Sequence, residues 1–213
     1  MSKEEADLAW LTGLLHDIGR FEQIRRYGTF NDALSINHGM LSVEILFEDG
    51  MIREFIDDES TDDLIRKTIG CHNAYMVPEE FSKREKIFCN ILRDADKIDI
   101  FKVNIVSPLE EVYNVPREEI YNSQITEAVM EDFKRKKTVL RSLRKSAADN
   151  VACHISLVFG LVYDESLRIT VQQAYLDEMM NFESKIENTN KQLKEIRTVV
   201  KSYINERLDD ITE

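Results

Sequence analysis

The residues best suited to binding a cation or catalysing a reaction are histidines and carboxylates in the first hundred positions. His16 and Asp17 are adjacent at the end of an apolar stretch, His38 and His72 follow, and the acidic segment DADKID spans 94–99. A neutral imidazole nitrogen and a carboxylate oxygen both offer lone pairs to a cation, and adjacent side chains of different length can reach one ion. The pattern therefore predicts a metal site, if separate helices bring these groups together.

Taken singly, none of these side chains is diagnostic of a metal site. A lone histidine on an apolar helical face is more often a hydrogen-bonded structural residue than a ligand. Within the acidic segment, helical periodicity does not choose among Asp94, Asp96 and Asp99, and any of them can be a solvated or salt-bridged carboxylate. The prediction depends on convergence rather than on any one residue.

Helical spacing of apolar residues predicts four helices in this region, which carry the candidate ligands between them. The first is expected to run to Gly19, the second to carry His38, the third to carry His72, and the fourth to carry the acidic segment. Three of them are preceded by residues suited to capping a helix N-terminus. These are Ser2 with Glu5, Ser60 or Thr61, and Ser82 with Glu85.

The remainder of the chain is also predicted to be helical. Helices are expected over about 117–145, 147–163, 165–186 and 189–209, and the segment 104–116, which holds two of the three prolines, is expected to be the break before them. We therefore predict a metal-binding helical core over residues 1–105 and a C-terminal helical extension, residues 106–213, packed on it. Isolated His154 lies in an apolar helix without acidic neighbours and is predicted to be structural.

Composition limits the fold and the partners. With 43% hydrophobic residues, only 7 Gly and 3 Pro, the 213-residue chain is predicted to be all-α. A formal net charge of -12 argues against nonspecific nucleic-acid binding, which depends on cationic side chains. A small phosphorylated substrate needs only a local cationic pocket and is compatible with this charge. Homo-oligomerisation is left open.

Cysteine usage and hydropathy bear on the compartment. The three cysteines form no C-x-x-C pair and suggest neither a zinc ribbon nor a disulfide framework. No apolar run of about 18 residues and no charged-then-apolar leader is found in the sequence. We therefore expect a cytoplasmic protein with no membrane partner.

Four sequence segments, in order, carry a family resemblance. LLHDIGR, INHGMLSVEIL, IRKTIGCHN and ILRDADKID resemble the successive signature segments of the HD superfamily of metal-dependent phosphohydrolases, over roughly residues 6–103. The string HDIG alone is a moderately specific motif of the family, whereas the ordered set of four segments at this spacing is a strong resemblance. The resemblance implies an HD-domain helical bundle and hydrolysis of a phosphate ester, with a nucleotide or another small phosphorylated metabolite as the expected substrate.

The resemblance also implies a ligand set. The family's adjacent His-Asp doublet corresponds to His16 and Asp17, and its distant aspartate corresponds to Asp96. The additional histidines of some members correspond to His38 and His72. Nitrogen and oxygen ligands without thiolate favour manganese, magnesium, iron, cobalt or nickel. One or two ions are expected, and Asp17 is the residue expected to bridge two, because a carboxylate has two oxygens.

Charged residues near the proposed ligands are candidates for other roles. Arg20, Arg25, Arg26 and Lys97 are expected to meet a substrate anion, arginine in bidentate fashion and lysine as a point charge. Glu22 is a candidate for proton handling or for supporting a ligand, and a surface role is an equal alternative.

One departure from the family pattern keeps other hypotheses open. The family's first ligand histidine normally lies on a helix before the doublet, and none of the fifteen residues before His16 is a histidine. A start codon placed too far downstream, a chain lacking that element, and a protein that has lost the ligand are three explanations. The last motivates a catalytically silent module that binds a nucleotide or a protein partner. An oxygenase similar to the diiron members of the superfamily is a third hypothesis.

Overall fold

Helices account for the secondary structure throughout the part of the chain that the computed structural model describes, residues 1–209. No strand occurs in this part, so the all-α prediction is confirmed. The helices are α1 (Lys3–Leu15), α2 (Gly19–Tyr27), α3 (His38–Val43), α4 (Asp62–Gly70), α5 (Lys83–Val106), α6 (Leu109–Tyr113), α7 (Arg117–Tyr121), α8 (Glu127–Lys134), α9 (Ala147–Ile155), α10 (Asp164–Gln173), α11 (Tyr175–Met180) and α12 (Glu187–Asp209). In the same residues we find no helix both long and apolar enough to span a bilayer.

The chain forms two compact units, Met1–Asp96 and the residues from Lys97 onward. Each unit has its own apolar core. The core of the first unit is formed by side chains of α1, α3, α4 and α5 and of the turns after α3. Its buried members include Leu15, Leu46, Ile65, Ile69 and Phe88.

Two of the three caps predicted in the first unit are present, whereas Thr61 precedes α4 without a side-chain cap hydrogen bond. Ser2 Oγ accepts a hydrogen bond from the Glu5 amide at 3.2 Å and begins α1. At α5, Ser82 and Glu85 form the reciprocal capping box, with the Ser82 amide 2.6 Å from the Glu85 carboxylate and the Glu85 amide 3.3 Å from Ser82 Oγ. These caps fix where the two longest helices of the first unit begin.

The turn between α1 and α2 differs from the prediction of one helix to Gly19. Helix α1 ends at Leu15, and a tight turn over residues 16–18 redirects the chain before α2 begins at Gly19. Glycine is required at this position, because an added Cβ would lie 2.5 Å from the His38 carbonyl oxygen and 2.6 Å from the Ser42 amide nitrogen. The Gly19 amide instead donates to Ser42 Oγ at 2.9 Å. The close approach of α2 to α3 sets the position of the residues in the turn.

The prediction of one helix over 117–145 is wrong. The segment contains α7, α8 and a single 3₁₀ turn, because the buried carboxylate of Asp149 accepts hydrogen bonds from the backbone amides of Thr126, Lys145 and Ser146 at 2.8–3.0 Å. Lys136 also adopts a left-handed conformation, with φ 54°, just after α8. A carboxylate more than twenty residues away in sequence thus stabilises the break before α8, and this contact leaves no trace in local periodicity.

The other predicted C-terminal helices are confirmed in part. Helix α9 continues as a 3₁₀ turn to Gly160, close to the predicted 147–163, and α12 agrees with the predicted 189–209. The helix predicted over 165–186 is wrong, because Ala174, with φ 62°, separates α10 from α11.

Candidate metal centre

Five polar side chains from different elements of the first unit meet at one place. His16 and Asp17 lie in the turn after α1, His38 is the first residue of α3, His72 lies in the turn after α4, and Asp96 is on α5. We call this group the ligand cluster. The sequence pattern predicts His72 on a helix, whereas the structure places it just beyond the end of α4.

The distances within the ligand cluster are short enough for a shared cation. His16 Nε2 lies 3.6 Å from Asp17 Oδ2 and 3.7 Å from Asp96 Oδ1. Asp17 Oδ1 lies 3.3 Å from His38 Nε2 and 3.6 Å from His72 Nε2. The two oxygens of Asp17 therefore face different partners, His16 on one side and the other two histidines on the other.

Hydrogen bonds at the rear of two imidazole rings fix which nitrogen faces the cluster. His16 Nδ1 lies 2.7 Å from the Gly13 carbonyl oxygen, and His72 Nδ1 lies 2.7 Å from the Ile69 carbonyl oxygen. A carbonyl oxygen accepts only, so Nδ1 must carry the proton in both rings. In the neutral ring this leaves the Nε2 lone pair free to bind a cation.

His38 is oriented by a carboxylate that the sequence analysis did not single out. His38 Nδ1 donates to Asp32 at 2.7 Å from Oδ2 and 2.9 Å from Oδ1. Asp32 also accepts from the fully buried Gln23 at 2.8 Å and from Arg20 at 3.3 Å. A carboxylate behind a histidine is the usual support for a metal-binding imidazole. The signal available in the sequence was an aspartate six residues before a candidate ligand, in a polar loop.

The cluster carries more lone pairs than hydrogen-bond donors. Asp17 Oδ1 is buried with no hydrogen-bond partner. His38 Nε2 and His72 Nε2 lie 2.9 Å apart, although both rings have the Nδ1 proton bonded elsewhere. An unpaired buried oxygen and two facing lone pairs are costly unless a positive charge lies among them. The donor set therefore fits a divalent cation held by nitrogen and oxygen.

Burial and neighbouring charges shift the pKa values of His16, His72 and Asp32. Burial lowers the pKa of His72, because the charged form is desolvated. Burial acts in the same sense on His16, but the neighbouring carboxylates of Asp96 and Asp17 raise the pKa of His16 overall. Burial would raise the pKa of Asp32, yet hydrogen bonds from His38 and Gln23 lower that pKa to about 2. Asp32 is thus ionised at neutral pH, as its supporting position requires.

A serine on α3 fixes the doublet to the rest of the site. Ser42 is fully buried, and its hydroxyl donates to the His16 carbonyl oxygen at 2.7 Å while accepting from the Gly19 amide at 2.9 Å. The backbone on both sides of Asp17 is therefore bonded to the helix that carries His38. Small changes at Ser42 or Gly19 act directly on the ligand geometry.

Among the predicted substrate-binding residues, Arg20 lies beside the ligand cluster. Its Nε is 3.7 Å from Asp17 Oδ1, and its guanidinium also donates to the Phe30 carbonyl oxygen at 2.8 Å. Lys97 belongs to the second unit, where its buried stem lies against Gly160. Its role toward a substrate stays a prediction.

Glu22, Arg25 and Arg26 form an ion-pair group of their own on α2. In residues 1–209 the structure gives none of the three a contact with the ligand cluster. Hydrogen bonds from Arg25 and Arg26 lower the pKa of Glu22 to about 2. A carboxylate with so low a pKa accepts protons poorly near neutral pH, so this geometry does not favour the predicted proton-handling role.

The remaining candidates lie elsewhere. Asp99 is exposed and Asp94 is buried, whereas Asp96 is the member of the acidic segment within 3.7 Å of His16. His154 lies 2.9 Å from the Asn104 amide nitrogen and packs edge-on against Tyr113. His16, Asp17 and His72 form a group in which each residue offers a ligand atom within 4.8 Å of the others. Within residues 1–209, His154 belongs to no such group.

Comparison with known families matches part of the chain. The family model described as HD domain matches residues 1–100, which include all five members of the ligand cluster. Comparisons with curated proteins and with solved structures gave no match. The whole ligand cluster therefore lies within the residues that match the family.

Proposed function

We propose that this protein, whose residues 1–100 belong to the HD domain family, hydrolyses a phosphate ester of a small molecule with one or two divalent cations. The observation that carries the proposal is the buried, unpartnered Oδ1 of Asp17 at 3.3–3.6 Å from two imidazole nitrogens. A family whose members are generally metal-dependent hydrolases supports the same activity.

The two faces of Asp17 suggest how the ligands would be shared. On one face, Oδ2 lies near His16, which lies near Asp96; on the other, Oδ1 lies near His38 and His72. Asp17 would bridge if two ions bind, and one ion would take Asp17 with the histidines nearest to it. Manganese, magnesium, iron, cobalt and nickel suit this nitrogen and oxygen set.

A bound divalent cation supplies an activated water nucleophile and neutralises charge on phosphoryl oxygens. The chain's own residues provide the rest. Asp32 holds the His38 ring in one tautomer, Ser42 fixes the backbone at His16, and Arg20 places a guanidinium 3.7 Å from Asp17. Arg20 is the cation beside the cluster that is best placed to bind a substrate phosphate.

The substrate class follows from charge. A net charge of -12 disfavours polymeric nucleic acid, whereas a nucleotide or another small phosphorylated metabolite needs only the local positive charge of a cation and Arg20. We propose such a small phosphate ester as substrate and a cytoplasmic location.

The test is phosphate release from a panel of nucleotides and sugar phosphates, with Mn²⁺, Mg²⁺, Co²⁺, Ni²⁺ or Fe²⁺ added to metal-free protein. Turnover that requires a metal and falls at least a hundredfold in His16→Ala and in Asp17→Ala would support the proposal. Exposed Lys3→Ala is the matched control and should keep full activity. Nucleotide binding without turnover would instead favour the silent module, and oxygen consumption with bound iron would favour the oxygenase.

A further inference from the structure

Two buried cysteine side chains approach each other in the first unit. Cys71 Sγ lies 3.0 Å from Cys89 Sγ, and both thiols are free. Cys71 is in the turn after α4 and is 7% exposed, whereas Cys89 is on α5 and is fully buried. Two thiols from elements eighteen residues apart are thus in direct contact without being covalently joined.

The turn that holds Cys71 also holds a member of the ligand cluster. Cys71 immediately precedes His72, whose Nδ1 is bonded to the Ile69 carbonyl oxygen at 2.7 Å. The guanidinium of Arg93, on α5, donates to the carbonyl oxygens of Cys71 at 3.3 Å and of His72 at 3.4 Å. The turn is therefore a bonded unit, and a displacement of Cys71 is passed on to His72.

We propose that Cys71 and Cys89 are a modification site, at which a small peroxide closes a reversible disulfide that displaces His72 and weakens cation binding by the ligand cluster. The second half of this inference rests on the cation site proposed above. The first half rests only on the two sulfur atoms.

The chemistry balances with hydrogen peroxide as the oxidant. The Cys71 sulfur attacks one peroxide oxygen, the O–O bond breaks, and a sulfenic acid and one water form. The Cys89 sulfur then attacks the Cys71 sulfur, the S–O bond breaks, and the hydroxyl leaves as a second water. Two electrons leave the thiols, and both thiol protons end in water. Cys71 is proposed to react first because it is the one of the two residues that has any exposed surface.

The size of the displacement follows from the sulfur distance. Closing the pair shortens 3.0 Å to the disulfide length of about 2.05 Å, a change of roughly 1 Å. Cys89 lies within a regular helix, so the short turn that carries Cys71 takes up most of this movement. A ligand site needs its groups held to within about 0.5 Å, so this movement is enough to weaken it.

The experiment treats purified full-length protein with hydrogen peroxide. It maps disulfides by mass spectrometry of non-reduced peptides and measures Mn²⁺ affinity by competition with a fluorescent chelator. We expect a Cys71–Cys89 disulfide, a fall of about tenfold or more in Mn²⁺ affinity, and recovery of both on addition of dithiothreitol. Cys153→Ala, which alters a thiol of the second unit, should respond as the wild type does. Cys89→Ala, with Cys89→Ser as a second variant if the alanine does not fold, should keep its affinity.

Three outcomes would overturn the inference. They are no disulfide at a peroxide concentration that oxidises free cysteine completely, a disulfide with unchanged Mn²⁺ affinity, and an equal loss of affinity in the Cys89 variant. Failure of phosphate release while the disulfide still lowers Mn²⁺ affinity would refute the proposed hydrolase activity and leave this inference intact.

Discussion

Replacing Asp32 by asparagine tests whether the carboxylate behind His38 tunes the ligand cluster. In the native protein, both Asp32 oxygens accept from His38 Nδ1, at 2.7 and 2.9 Å, and Oδ1 also accepts from Gln23 at 2.8 Å. Asparagine keeps the size of the side chain but loses the charge, and it replaces one acceptor oxygen by an amino group. That amino group must face a donor, so the His38 tautomer is no longer fixed.

The expected effect of Asp32→Asn is a loss of cation affinity with the fold retained. Removing such a supporting group typically costs 10- to 100-fold in metal affinity, which is about 1.4–2.8 kcal/mol. The side chain of Asp32 is only 19% exposed, so solvent screens this interaction little. We expect Mn²⁺ affinity, measured by isothermal titration calorimetry, to fall within that range.

The matched control is Asp57→Asn, which removes one carboxylate from an exposed position. Its Mn²⁺ affinity should equal that of the wild type, and circular dichroism should show both variants to be helical. An Asp32→Asn protein that folds and binds Mn²⁺ as tightly as the control would refute the argument that His38 is a ligand oriented by Asp32.

Two further predictions concern packing and titration. Gly19→Ala should lower the free energy of unfolding, measured in urea, by about 1–3 kcal/mol, because its Cβ would lie 2.5 Å from the His38 carbonyl oxygen. The control Gly13→Ala, whose Cβ would have nothing within 4 Å, should raise the free energy of unfolding by up to about 1 kcal/mol. A Gly19→Ala protein as stable as the wild type would contradict the packing described. Burial raises the pKa of Cys153 to about 12 from 9.0, so iodoacetamide at pH 8 should label it only after unfolding. Because its folded-state pKa is the higher one, its contribution to stability is complete below pH 9 and is lost as the pH rises through 12; rapid labelling of native protein would contradict this burial.

The residues of the ligand cluster show how far local sequence goes. Adjacency of His16 and Asp17 and the helical setting of Asp96 are local features, and the ordered segments of the family resemblance identify them together. The choice of Asp96 over Asp94 and Asp99 rests on that resemblance, because helical periodicity does not predict which of these aspartates faces another helix. The structure makes the same choice through a single distance to His16.

Contacts between distant segments account for what the sequence did not predict. Asp32 acquires its role through the approach of a loop to α3, and a position six residues before His38 does not by itself predict a contact with that ring. Asp149 interrupts a predicted helix by accepting hydrogen bonds from the amides of Thr126, just before α8, and of Lys145, after it. In both cases a carboxylate contacts its partners only in the folded chain, so local helix propensity cannot predict the contact.

The most direct measurement is a titration of metal-free protein with Mn²⁺, in which electron paramagnetic resonance counts the ions bound per chain. Two imidazole nitrogens facing the buried Oδ1 of Asp17, and a third near its Oδ2, predict at least one bound ion per chain, and two if Asp17 bridges. The same titration of Asp17→Ala should show none bound at the concentration that saturates the wild type. A wild-type protein that binds no Mn²⁺, or an Asp17→Ala protein that binds it equally well, would contradict the account.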